Sequence, residues 1–183
     1  MNVCETDPLY TITRQSLNNS SWESVFMDHT KLPLSNRETT FMANESPRNV
    51  VNQQNSGTCW IHATLSYYRD CMIKQYPTLD TENVRFSAAY ILFYHLYESC
   101  DSFLQKMERL SKEPDNDPRV CWSMDHILSD GASGNTGYLL VKRYGIVPYD
   151  IMGSNFQVLN TEKLLQCLKH ILIVGSARIR AKE

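Results

Sequence analysis

Apolar residues at Ile61, Leu65, Tyr68 and Met72 recur every three or four positions, which is the spacing of one helix face. A helix is therefore predicted from Cys59 until Pro77 forbids continuation, with Thr58 as its cap and Cys59 as its first residue. A second helix is predicted after Ser87, through Tyr90, Ile91, Tyr94, Leu96, Tyr97, Phe103, Leu104 and Met107 toward Leu110. Being apolar on nearly every side, it reads as buried. KEPDNDP, residues 112–118, is a charged, proline-bounded loop, and Val120 to Leu128 makes a shorter helix ended by Gly131. After the flexible DGASGNTG segment, Asn135 or Thr136 is predicted to cap a helix through Leu139, Leu140 and Val141 that Gly145 closes. IVPYD is extended, because Pro148 disfavours helix before it. A last helix is predicted from about Thr161 to Val174, leaving SARIRAKE as a solvated, mildly basic tail. Strand patterns are nearly absent, so the fold class is mainly α.

Residues 1–50 lack that periodicity. Pro8, Pro33 and Pro47 interrupt them, so an irregular surface arm is predicted, with Trp22, Val25 and Phe26 pinning one turn. The division is thus an arm over 1–50 and a helical, cysteine-bearing unit over 51–183.

Composition narrows the class. At 42% hydrophobic and 21% charged residues, the 183-residue chain is expected to pack rather than remain disordered. Eighteen basic against 20 acidic residues give a formal charge of −2, so no global field draws it to nucleic acid or an anionic membrane. MNVCETDPLY has neither a basic nor an apolar run, and no stretch approaches the ~20 apolar residues of a membrane helix. A cytoplasmic protein is expected, and six cysteines without CxxC spacing read as free thiols. The triplets beginning at Asn18, Asn19 and Asn44 read as chance glycosylation patterns for the same reason.

The chemistry concentrates in NQQNSGTCWIH, residues 52–62. A thiol attacks carbon as thiolate, and the partial positive charge at a helix start favours that anion. Gly57 leaves room for substrate backbone beside Cys59, and Trp60 can shield the site. The Gln53 carboxamide can join the Cys59 backbone N–H in binding an oxyanion. Burial of Cys59 as a small apolar residue is the plain alternative.

Asn52, Gln53, Ser56, Gly57, Cys59 and Trp60 stand as in the active-site segment of papain-like cysteine peptidases, most nearly in the branch of bleomycin hydrolase and the bacterial aminopeptidase C enzymes. FSAAYILFYHLYESC, KEPDNDPRV and SDGASGNTGYLLVKRYGIVP resemble later segments of that branch in order, so the similarity runs over about residues 34–165. The resemblance implies a peptidase acting through a Cys59 thioester acyl-enzyme, with Gln53 as oxyanion partner and Gly131 and Ala132 lining the substrate cleft. It implies peptide substrates, no cofactor, and assembly as a homo-hexamer. It also implies an α+β fold whose helical lobe is present and whose β-rich lobe, carrying histidine and asparagine, is not. The chain is thus expected to be incomplete at its C-terminus and to lack that histidine and asparagine. Ala132 departs from the branch, which has a second glycine there.

Other histidines offer weaker chemistry. His62, one turn beyond Cys59, replaces a phenylalanine usual in the branch and is a candidate proton acceptor; a histidine satisfied by one hydrogen bond is the commoner case. His95 and His170 are expected to cover helix faces, and His29 to be solvated. Cys121 with His126, and Cys167 with His170, supply two donors each, too few for a metal. GASGNTG follows no strand and precedes no GK[ST], so it is not read as a phosphate cradle. The rival to a peptidase is an inactive binding or scaffold lobe, or a truncated remnant.

Overall fold

A computed structural model describes residues 7–26, 51–76, 78 and 84–181. Cys4, His29, Pro33, Asn44, Pro47 and Pro77 lie outside the described residues. Among the described residues the elements are α1 (Pro8–Asn19), α2 (Trp22–Phe26), α3 (Cys59–Gln75), α4 (Ala88–Arg109), α5 (Pro118–Asp125), α6 (Gly134–Tyr144), α7 (Phe156–Leu159) and α8 (Thr161–Ala181). The mainly α reading holds.

α4 is the axis of the molecule, packed by α3, α5, α6 and α8. Ile91, Leu92 and Met107 of α4 and Ile61 of α3 are almost wholly enclosed, and Trp60, Leu65, Phe103, Val120, Leu140 and Leu172 close the core around them. Each such side chain is worth roughly 1.5–3 kcal/mol of transfer free energy, so this cluster is the main source of stability. α4 is not buried all round, however: Phe93 and Tyr97 are more than half exposed and stack on one another. A ring every fourth residue is a stripe, and the core takes the opposite face.

Several boundaries differ from the sequence reading for local reasons. Residues 8–19 are helical where an irregular run was expected. Pro8 occupies the first turn, where its missing N–H costs nothing, and Asp7 caps the helix by accepting from Leu9 N at 2.9 Å. Asp117 and Pro118 start α5 in the same way, with Arg119 N donating to Asp117 at 2.8 Å. α5 then stops at Asp125, freeing Ile127 and Leu128 to turn into the core. Ser133, not Asn135 or Thr136, caps α6, and Gly145 ends it at φ 77. α8 continues past Val174 to Ala181. Ser176 is buried with its hydroxyl on Ile173 O, and Arg180 donates to Leu110 O (2.8 Å), Glu113 O (2.7 Å) and Asp115 (2.7 Å). The expected basic tail is therefore largely an anchored helix end.

Two short backbone pairings tie the connections together. Phe86 bridges Pro148, so the extended reading of IVPYD holds there, but Tyr149 and Asp150 turn, with Ile151 N donating to Pro148 O at 3.1 Å; Asn55 bridges Asn160. α1 leans on α7 through Gln157 Nε2, which donates to Leu17 O and Ser20 O.

Candidate active site

Residues 51–58 form a tight loop whose geometry follows from its own side chains. Asn52 Oδ1 accepts from Gln54 N at 2.8 Å, and Gln54 adopts φ 53, a left-handed conformation costing a non-glycine residue on the order of 1 kcal/mol. The reversal lets Gln53 fold back. Its Nε2 donates to Ser56 O at 2.7 Å, while Ser56 Oγ donates to Gln53 O at 2.7 Å. One of the two carboxamide hydrogens is thereby committed within the loop.

Ser56 Oγ also meets Thr58 Oγ1 at 2.7 Å. Because the single Ser56 hydrogen goes to Gln53 O, Thr58 is the donor of that pair. The consequence is a correction: Thr58 occupies the cap position of α3 but makes no capping bond with its side chain. Its carbonyl accepts from Ile61 N and His62 N, so the Cys59 and Trp60 N–H groups remain the orphan donors that every helix start carries. Cys59 is the first residue of α3, exposed, with a free thiol. An exposed sulfur thus sits beside unpaired backbone donors and a positive helix end, an arrangement suited to an anion.

Trp60 is buried, so it is a strut beneath the site and not an exposed wall. Its Nε1 donates to Asp130 O at 2.8 Å, and its ring meets His95 edge-on at 5.0 Å. His95 Nε2 lies 3.0 Å from Ser129 O, and since a carbonyl only accepts, Nε2 carries the hydrogen. His95 is therefore a brace between α4 and the 129–131 segment. Gly57 N donates to Asp130 Oδ2 at 2.6 Å, and the Thr161 hydroxyl at the start of α8 donates to the same oxygen. Gly131 is exposed with its N–H on Ser129 Oγ at 3.1 Å, while Ala132 is half-buried against the core. Ala132 has no left-handed backbone. Asn55 N and Nδ2 pair with Leu159 O and Asn160 Oδ1, each at 3.0 Å, bracing the loop from its other side.

The loop expected from the sequence is present, with Gln53 in it and Cys59 at the start of α3; Asp130, Thr161, Asn55 and the bracing part of His95 were not anticipated. One signal was present: Asp130 immediately precedes Gly131 in the segment already singled out.

Among the described residues no imidazole is hydrogen-bonded to the Cys59 sulfur. His62 is half-buried and burial pushes its pKa below the ordinary range, as it does for His95. His126 donates from Nδ1 to Trp122 O at 2.9 Å and stacks on that ring, and His170 is exposed. Among the described residues no three His, Cys, Asp or Glu side chains converge as a metal-holding group, and no helix is long and apolar enough to cross a membrane.

The chain is 30% identical over 133 residues to aminopeptidase G of Lactobacillus delbrueckii subsp. lactis, covering 72% of this chain and 30% of that one. It is 29% identical over 133 residues to bleomycin hydrolase of Gallus gallus, covering 72% and 29%. The crystal structure of PepW from Lactobacillus rhamnosis HN001 superposes with a TM-score of 0.66 at 24% identity, over 72% of this chain and 29% of that one, a likeness of fold. The chain thus spans about three-tenths of the length of these relatives. The Peptidase C1-like family model matches residues 2–182, and the chain belongs to that family.

Proposed function

We propose that this chain carries the nucleophile-bearing part of a cysteine-type aminopeptidase, with residues 51–183 as the helical lobe and residues 1–50 as its arm. The observation that carries the reading is the exposed Cys59 thiol at the first position of α3, beside the folded-back Gln53 side chain. In the reaction Cys59 Sγ attacks a peptide carbonyl carbon, and the carbonyl oxygen takes the negative charge. The Cys59 N–H and the second Gln53 N–H are the donors for that oxyanion. Collapse expels the amine, which takes up a proton, and leaves a thioester that water then hydrolyses. Gly57 and the 131–132 backbone border the substrate, and Trp60 supports the site from below.

Both steps need a proton carrier; His95 and His126 are bonded to main-chain carbonyls, His62 is shielded by burial, His170 is exposed on α8, and no described histidine is hydrogen-bonded to the Cys59 sulfur. That observation favours a second reading, an inactive peptide-binding lobe. The relatives' printed names support peptide substrates, and five free thiols among the described residues support a reducing, cytoplasmic location. Assembly as a homo-hexamer is part of the same proposal, read out by light scattering.

The test is labelling with a peptidyl chloromethyl ketone at mildly acidic pH, mapped by mass spectrometry and compared with Cys59→Ala. Selective modification of Cys59 supports the peptidase. Equal reaction of all six thiols overturns it and leaves the binding lobe.

A further inference from the structure

We infer that Asp130 is the positioning residue of the site, clamping the oxyanion loop to the cleft loop so that Cys59 and its donors face substrate in one geometry. This deepens the peptidase reading and rests on it. The loop 51–58 and the segment 129–131 are far apart in sequence, and Asp130 joins them twice. Its carboxylate holds Gly57 N at 2.6 Å, two residues before Cys59, and its carbonyl holds Trp60 Nε1 at 2.8 Å, one residue after. The reactive cysteine is therefore bracketed on both sides by bonds to one amino acid. The carboxylate is itself fixed by the Thr161 hydroxyl, and the neighbouring Ser129 carbonyl by His95. Asp130 is thus held from the start of α8 as well as from the loop.

The fit is close enough to act as a ruler. A Cβ added to Gly57 would lie 2.5 Å from Asp130 Oδ1 and 2.9 Å from Cγ, well inside contact distance. Gly57 is thus required because of Asp130, in addition to any room it leaves for substrate. A carboxylate suits the position because it only accepts: Oδ2 takes two hydrogens at once, from an amide and a hydroxyl. Asparagine can place Oδ1 in that spot and keep both bonds; alanine keeps neither, although it retains the main-chain bond to Trp60.

The consequence is specific. Losing the clamp should harm reactions that use the oxyanion donors and spare those that need only an accessible thiol. With a peptidyl chloromethyl ketone, Sγ adds to the carbonyl to give a transient alkoxide and then forms a C–S bond to the methylene as chloride leaves and the ketone is restored. In Asp130→Ala this labelling of Cys59 should slow about tenfold or more, since misplacing a group by ~1 Å costs up to ~100-fold. Alkylation by iodoacetamide should change by less than about twofold, and Asp130→Asn should recover most of the ketone rate. Nuclear magnetic resonance of the full chain supplies a readout that does not depend on reactivity: the Gly57 amide signal should move in Asp130→Ala and return near its original position in Asp130→Asn, while the Trp60 indole N–H, whose main-chain acceptor alanine keeps, should move less. Should wild-type Cys59 show no preference over the other thiols, the peptidase reading falls and the clamp is judged on the Gly57 resonance alone. If Asp130→Ala is folded and leaves that resonance unmoved, or slows both reagents equally, the positioning role is wrong.

Discussion

Gly57 and Asp130 are 73 residues apart in the chain, yet the Gly57 amide donates to the Asp130 carboxylate at 2.6 Å. The side chain cannot easily retreat, because the same oxygen accepts from Thr161. Gly57→Ala should therefore destabilise the protein by about 1–3 kcal/mol, the usual cost of forcing atoms into a filled space. Asp130→Ala removes the obstacle as well as the bond, so the double variant should lose less than the sum of the single losses. Urea denaturation of the four proteins measures the coupling.

A second close approach fixes how α3 meets α6. A Cβ at Gly137 would lie 2.2 Å from Thr64 Oγ1, and that hydroxyl is held on Trp60 O at 2.8 Å. Alanine is the better helix former by about 1 kcal/mol, so an exposed glycine here would gain from the change. At this contact sterics should win, and Gly137→Ala should lower the thermal midpoint. Adding Thr64→Ala should restore it, and if Gly137→Ala alone raises the midpoint the packing is looser than described.

These contacts mark the limit of what periodicity reveals. The core faces of α3 and α4 were legible because Ile61, Leu65, Ile91 and Met107 repeat at helical spacing, and each is buried. α1 was not: it buries no residue, so no apolar stripe announces it, and its start depends on the Asp7–Pro8 pair. The end of α8 was hidden for the opposite reason, since Arg180 reads as a solvated charge until three oxygen acceptors surround it. At the candidate site, the position of Cys59 at a helix start was legible because Thr58 and the apolar spacing after it are local to one stretch. Asp130 acts across the fold, through a carboxylate that any sequence reading would leave in solvent.

Acid should weaken the fold in two stages. Burial holds the His62 and His95 imidazoles below the ordinary value of 6.5, so the unfolded chain binds protons there before the native state does. Their contribution is fully present above about pH 6.5 and is lost as pH falls through the lower, folded values. Asp117 adds a later stage. The side chain and main chain of Arg119 hold its carboxyl down from 3.8 to about 2, so its contribution persists above 3.8 and disappears toward pH 2. Thermal midpoints measured from pH 7.5 to 2.5 should fall in both windows. His62→Phe should flatten the first window without altering the second; a midpoint that rises on going from pH 7 to 5 would contradict the burial of both rings.

Arg180 offers the most direct check on the unexpected end of α8. Its guanidinium is only 15% exposed and donates to two main-chain carbonyls, Leu110 O and Glu113 O, as well as to the exposed carboxylate of Asp115. The ion pair with Asp115 is open to water on its acidic side, where such pairs contribute ~0–1 kcal/mol, so Asp115→Asn should be nearly neutral. The carbonyl bonds matter more, because they tie the turn after α4 to the last turn of α8. Arg180→Ala should cost about 2 kcal/mol, in the range for hydrogen bonds from a charged donor, and lysine should recover little because one ammonium cannot span both carbonyls with the guanidinium's fork. Hydrogen exchange localises the effect: amides of residues 175–181 and 110–113 should lose protection in Arg180→Ala while those of α3 keep theirs. Unchanged protection at both places would mean that α8 holds its final turns without this side chain.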